Sequence, residues 1–257
     1  MESGLSWESA NHFRNLMSKS FEMARMWGFH STGNPARGVS LREKRPVREK
    51  QTLRPEQILQ LLTVLKEPVR TMVLLGVLTG MRIGEILGLR RKDVNFTIDQ
   101  IQIEQACYRG LLGSPKSKGS RRTLPLPRAL VAPLIQICEH APRAGEGDLV
   151  FQTRNGTPLS DTNLLLEHLK PAGWKIGMPS LSWHTLRRTH ATLLQACGAS
   201  LKDAQAQLGH SKMSTTLAVY TLPIPAHLRL AVENLAQLVT NGDELHSWGD
   251  EVPAVAE

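Results

Sequence analysis

Apolar positions in the first part of the chain recur at helical spacing. Over residues 9–27 they fall at Phe13, Leu16, Met17, Phe21, Met23, Ala24 and Trp27, which predicts a helix ending near Gly28. A turn-forming run, Ser31, Thr32, Gly33, Asn34 and Pro35, follows it. In residues 37–50 the cations Arg37, Arg42, Lys44, Arg45, Arg48 and Lys50 outnumber Glu43 and Glu49. With Pro46 inside it, that stretch reads as an extended basic linker, either a solvated strand or one lying along a polyanion.

A better-ordered pattern begins at Leu53. Pro55 suits the first turn of a helix, and Ile58, Leu61, Leu62 and Leu65 continue it on one face. A second helix is expected over 68–79, stopping at Gly80, and a third over 82–89. Ile98, Ile101 and Ile103 among polar neighbours predict a strand. Leu124 and Leu126 predict a second extended piece after a Gly/Ser/Lys-rich turn. Residues 128–140 read as a helix and 149–152 as a short strand before the Asn155-Gly156 turn. Beyond Ser160 the pattern is helical, interrupted at Gly177, Gly198, Gly209 and Pro223, with an apolar helix over 226–238. The fold class expected is mostly α with a small antiparallel sheet (α+β).

Composition sharpens this only in part. With 257 residues, 41% hydrophobic and 21% charged, the chain has material for one substantial core and a small second unit. Its net charge of +8 suits a polyanionic partner, because cationic surfaces attract phosphates and gain from counterion release. Cys107, Cys138 and Cys197 are scattered and odd in number, which argues against a disulfide framework or a cysteine zinc site and fits a reducing, cytoplasmic setting. No apolar run approaches the ~20 residues that cross a bilayer, so no membrane partner is expected.

Four segments concentrate polar chemistry. In Thr79-Gly80-Met81-Arg82-Ile83-Gly84-Glu85, Arg82 starts a helix in an apolar stretch and Glu85 lies on the same face. The pair reads as a structural ion pair or as an arginine oriented toward a phosphate, whose oxygens its planar fork matches. The second segment, from Lys116 through Lys118, Arg121 and Arg122 to Leu126, is a cation-loaded hairpin tip. It is either a solvated turn or the carrier of a lysine proton donor. In the third, His184 and Arg187 share a helix face, while His184 and His190 do not have the spacing of a metal pair. The fourth runs from Leu208-Gly209-His210-Ser211 to Tyr220, one of only two tyrosines. Alone, Tyr220 reads as a core residue.

Together these segments resemble the catalytic domain of the tyrosine recombinases, the phage integrase family, over roughly residues 50–225. The box T-G-x-R-x-x-E-x-L is met from Thr79 to Leu87. The box K-T-x-x-S-x-R-x-x-P-L is met from Lys116 to Leu126, with Ser117 in place of Thr. H-x-L-R-H-T is met from His184 to Thr189, with Arg188 in place of the second His, and L-G-H-S from Leu208 to Ser211, with Tyr220 nine residues beyond Ser211.

The resemblance implies an integrase-type catalytic fold that breaks and rejoins DNA strands through a 3′-phosphotyrosyl intermediate at Tyr220. Arg82 and Arg187 would hold the non-bridging oxygens, and Lys116, or else Lys118, would protonate the leaving 5′-oxygen. His184 would accept the tyrosine proton or donate to the phosphate, His210 would donate a further hydrogen bond, and Glu85 would support Arg82. Arg37, Arg42, Lys44, Arg45, Lys118, Arg121, Arg122 and Arg188 would contact DNA. No cofactor, metal or ATP is implied. The partners implied are double-stranded DNA and further copies of the chain, four on two duplexes. Residues 1–50 would be the remnant of an N-terminal helical core-binding domain plus linker, 51–240 the catalytic domain and 241–257 an acidic tail. The other reading is a truncated, recombination-deficient remnant that binds DNA.

Overall fold

The computed structural model describes residues 5–41, 51–114 and 121–209. Arg42, Lys44, Arg45, Lys116, Lys118, His210, Tyr220, the helix expected over 226–238 and the acidic tail lie outside the described residues. The chain divides into two compact units, Met1–Lys50 and Gln51–Glu257.

The first unit is built on helix α1 (Trp7–Met26). Ser6 caps it, its Oγ accepting from the Ser9 amide at 3.1 Å, and Gly28, at φ +78°, follows its end. The Gly33-Asn34-Pro35 turn folds back on this helix. Asn34 Oδ1 accepts from the Ala36 amide at 3.0 Å to open a 3-10 turn over Pro35–Gly38. Its Nδ2 donates to the Ser18 carbonyl and hydroxyl, each at 2.9 Å. Arg37 forms an exposed pair with Glu22 at 2.8 Å. Such a pair is worth about 0–1 kcal/mol, so a phosphate can compete for Arg37.

The second unit is centred on helix α3 (Val69–Thr79), which follows α2 (Pro55–Val64). Pro55 does occupy the first turn of α2, and Ile58 and Leu61 turn inward. Burial on α3 is nearly all round, taking in Val69, Met72, Val73, Leu75 and Val77. Each such side chain stabilises the fold by roughly 1.5–3 kcal/mol. Helix α3 ends at Gly80, which adopts the left-handed conformation at φ +67°. Only glycine fits there: a Cβ would lie 2.5 Å from His190 Cδ2.

The short helix α4 (Ile83–Leu87) leads through a 3-10 turn at Arg91–Asp93 into strands β1 (Val94–Asn95) and β2 (Gln100–Ile103). Strands β3 (Ala106–Tyr108) and β4 (Leu111–Gly113) follow, then β5 (Arg122–Pro125). A three-stranded antiparallel sheet has the order β1-β2-β5. Its register pairs Val94 with Ile101, Ile101 with Leu124 and Ile103 with Arg122. Ile101, Ile103 and Leu124 are fully buried, so period-2 alternation aims one face at the core.

Strands β3 and β4 form a separate hairpin that the sequence pattern did not predict. Its turn residues Arg109 and Gly110 both take positive φ, 50° and 79°, as tight two-residue hairpins require. The strand expected over 149–152 is corrected to two isolated bridges, Arg90 with Leu149 and Gln152 with Pro158. Leu149, Val150 and Phe151 are all buried in succession. They therefore fill the core without presenting alternate faces to a ladder.

Helix α5 (Arg128–Glu139) matches its pattern. The helical run after Ser160 holds α6 (Asp161–Asn163), a π-helical stretch over Leu164–Leu169 and α7 (Lys170–Lys175). Helix α8 (Trp183–Ala196), started by the Ser182 cap, packs along α3, and α9 (Leu201–Leu208) packs on α8. The Leu53 amide donates to Thr189 Oγ1 at 2.9 Å, tying the start of this unit to α8.

Candidate active site

Arg82 is the residue before α4, extended at φ −73°, ψ 150°. The α4 N-terminus would leave its backbone amide without an intrahelical partner, and Glu85 Oε2 accepts from it at 2.9 Å. Glu85 Oε1 also accepts from the Arg82 guanidinium at 2.8 Å. One carboxylate thus holds both main chain and side chain of Arg82, whose side chain remains 37% exposed. The pairing expected of Glu85 is the one observed.

A second arginine shares that carboxylate. Arg122, on β5, donates to Oε1 at 3.1 Å and to Oε2 at 2.9 Å, and its Nε donates to the Gln207 carbonyl at 2.8 Å. Its side chain is 8% exposed. Expected on the DNA surface, Arg122 is instead inside the domain, holding Glu85 and the end of α9 together. It is the arginine of the hairpin box, a position that marked the residue in the sequence but not its inward direction.

Burial alone would raise the Glu85 pKa, but the hydrogen bonds and charges of Arg122, then of Arg82, bring it below the ordinary value. The carboxylate is ionised at neutral pH.

Arg187 lies on the buried face of α8. Its guanidinium donates to the Gly80 carbonyl at 2.5 Å and to the Leu208 carbonyl, joining the end of α3 to the end of α9. Two carbonyl bonds do not exhaust five N–H groups. Desolvation, then the positive charge of Arg82, pushes its pKa down to about 9, with Glu85 opposing and Arg122 adding to the fall. It stays cationic at neutral pH.

His184, one turn earlier on α8, is exposed as a residue. Partial desolvation of its ring, then the charges of Arg187, Arg188 and Arg82, depress its pKa. Near neutral pH the imidazole is therefore mainly neutral and able to accept a proton. Arg188 is half-buried, donating to Thr185 Oγ1 at 3.2 Å. Arg121 is exposed, 3.8 Å from Glu104.

His190 was not a site candidate, yet it supports the site. Its Nδ1 bonds the Val77 carbonyl at 2.9 Å while Nε2 is buried without a partner, and its ring packs under Gly80. Gln207 Nε2 donates to the Thr79 carbonyl at 3.3 Å, so α9 is bonded both to the residue before Gly80 and to Arg122. Gly209, at φ +60°, ends α9 against Arg122, whose Nη1 would lie 3.0 Å from an added Cβ.

The structure thus brings Arg82, Glu85, Arg122, Arg187 and His184 to one place. Among the described residues it sets three guanidinium groups around one carboxylate. Partly desolvated positive charge in excess is costly until an anion joins it, and a phosphate with several oxygens satisfies both charge and donors.

Known proteins agree with this reading. The sequence profile of the phage integrase family matches residues 51–226. The chain is similar to a tyrosine recombinase XerC-like protein of Caldanaerobacter subterraneus subsp. tengcongensis, 29% identical over 92% of this chain and 68% of that protein. It is 30% identical to the integrase of Staphylococcus phage L54a over 56% of this chain and 45% of that one. It is 31% identical to tyrosine recombinase XerA of Thermococcus kodakarensis over 69% and 60%. The matches thus span between 45% and 68% of these relatives' lengths.

Among solved structures, the fold resembles that of the Tn1549 transposon integrase in complex with transposon right end DNA. The TM-score is 0.74 at 21% identity, covering 91% of this chain and 81% of that one. It also resembles the XerH site-specific recombinase bound to its palindromic difH substrate, with TM-score 0.65 at 21% identity over 92% and 69%. The mostly helical second unit with its small antiparallel sheets therefore has the integrase catalytic fold, and the chain belongs to the phage integrase family, the tyrosine recombinases, which break and rejoin DNA by transesterification.

Proposed function

We propose that this chain is a site-specific recombinase that cuts and rejoins double-stranded DNA through Tyr220. The observation that carries the reading is the arginine cluster: Arg82 and Arg187, held by Glu85 and by two backbone carbonyls, with positive charge in excess of the carboxylate. In this scheme the Tyr220 oxygen attacks the scissile phosphorus and the 5′-oxygen leaves, so one phosphoester replaces another. Arg82 and Arg187 stabilise the charge on the non-bridging oxygens. His184 takes the tyrosine proton, Lys116 gives one to the leaving 5′-oxygen, and His210 donates to the phosphate. Lys118 is the second choice for the proton donor. Because the phosphotyrosyl ester preserves the bond energy, rejoining needs no ATP, and the arginines and the lysine supply the positive charge that a metal would otherwise bring.

Arg37, Arg42, Lys44, Arg45, Arg121 and Arg188 serve backbone phosphates, and residues 1–50 act as the end of a helical core-binding domain with its linker. Four copies assemble on two duplexes for strand exchange, in the cytoplasm. Residues 241–257 form an acidic tail outside the catalytic domain.

The test uses a pool of suicide-nicked duplexes with randomised sequence, from which covalently captured DNA is sequenced. The full chain should yield an adduct stable on denaturing gels, and Tyr220→Phe should yield none. Salt-sensitive binding with no adduct would support instead a binding remnant that no longer recombines.

A further inference from the structure

The buried placement of Arg122 carries a role that a DNA contact does not explain. Glu85 accepts four hydrogen bonds, two from Arg82 and two from Arg122, so its carboxylate is shared evenly. Were Arg82 its only partner, the carboxylate would cancel the charge that a phosphate needs. Arg122 offsets that charge from the inner side, while Arg82 keeps its partly exposed position. The same guanidinium fork is bonded through Nε to the Gln207 carbonyl at 2.8 Å and pressed against Gly209. Three elements far apart in sequence, β5, α4 and the end of α9, meet at this one side chain.

We propose that Arg122 is a positioning residue: it frees the charge of Arg82 for the scissile phosphate and clamps the end of α9 in register with α4. The role rests on the recombinase reading above. Arginine is required for geometry as well as charge, because a planar fork can bind both carboxylate oxygens and still direct Nε to a carbonyl, whereas a lysine offers a single point of charge. The hairpin strand that delivers Arg122 is also the one that follows the Lys116 segment.

The test compares Arg122→Gln, Arg122→Lys and the double variant Glu85→Gln/Arg122→Gln in the full chain, on the duplex captured by the unsubstituted protein. Melting curves report whether each folds. Arg122→Gln is expected to form adduct about 100-fold more slowly, comparable to losing one oriented donor. Its Kd for the duplex and the salt dependence of that Kd should stay within about twofold, because no phosphate contact is lost. Arg122→Lys, which keeps the charge, should fall by about tenfold. This gives a folded readout even where Gln does not fold. Removing the uncompensated carboxylate in the double variant should restore about tenfold of the rate lost in Arg122→Gln.

Weaker binding with a salt slope reduced by about 1 would make Arg122 a phosphate contact and overturn the role. Equal losses in the Lys and Gln variants, with no recovery in the double variant, would overturn it too. Unchanged adduct formation in Arg122→Gln would overturn this role alone. No adduct from the unsubstituted chain would overturn the recombinase reading and this role with it.

Discussion

Arg187 and His190 share the buried face of α8, and their neighbours set the acid sensitivity of the domain. Burial, then the charges of Arg187 and Arg122, lowers the His190 pKa against the opposing bond to the Val77 carbonyl. His184 is lowered as well, by desolvation and then by the cations beside it. A histidine whose folded pKa lies below its unfolded value binds its proton more readily in the unfolded chain. Stability is then complete above the ordinary histidine value, about 6.5, and is lost as pH falls below it. Glu85, whose folded pKa is also lowered, adds a further loss lower down, as pH falls through the carboxylate range. The melting temperature should accordingly drop between pH 7.5 and 5.0, and His190→Gln should flatten that drop. A steeper dependence in the variant would contradict the assignment. Of these residues Arg82, Glu85, His184 and Arg187 were legible in the sequence, each lying in a short box with local spacing. The inward placement of Arg122 was not legible. Its partners lie 37 and 85 residues away, at Glu85 and Gln207, and only the closed fold brings them together.

At the scale of elements, α4 is positioned by the absence of side chains on one face. A Cβ on Gly84 would lie 2.5 Å from the Cys107 carbonyl oxygen, and one on Gly88 would lie 2.9 Å from Ala106 Cα. The hairpin β3–β4 therefore seats directly on α4 backbone, and the helix that begins after Arg82 cannot shift without it. Gly84→Ala should cost about 1–3 kcal/mol, as overpacking of a tight contact does, and slow adduct formation as well. Gly113→Ala, where a Cβ meets nothing within 4 Å, is the control and should melt as the unsubstituted chain does. A Gly84→Ala protein of unchanged stability would show that α4 and the hairpin are not packed this way. Helix α3 could be read from the chain because an apolar run ends at a glycine. The hairpin could not, because its strands have three residues each, Tyr108, Leu111 and Leu112 are exposed, and arginine occupies a positive-φ turn position. No alternation marks such strands. The bridges at Leu149 and Gln152 were over-read for the opposite reason, since a buried apolar run resembles a strand whether or not it pairs.

For the whole molecule, the governing quantity is charge. A net charge of +8 is spread over a chain whose catalytic unit already holds three guanidinium groups around one carboxylate. If about six phosphates are neutralised on binding, affinity should fall about a thousandfold between 50 and 200 mM salt. Titration by fluorescence anisotropy across that range checks it, and a Kd insensitive to salt would contradict a phosphate-tracking surface. The family was legible from the order of four boxes along the chain. How the copies assemble was not, because assembly depends on surfaces of several molecules and on DNA geometry that one sequence does not encode locally.

The proposed reaction turns on one bond, between the Tyr220 oxygen and a DNA phosphorus. Digesting the covalent adduct with protease and nuclease, then sequencing the modified peptide by mass spectrometry, reads that bond directly. The nucleotide should be carried on Tyr220 through its 3′-phosphate, with the released strand bearing a free 5′-hydroxyl. Attachment at any other residue, or a 5′-phosphate link, would contradict the account.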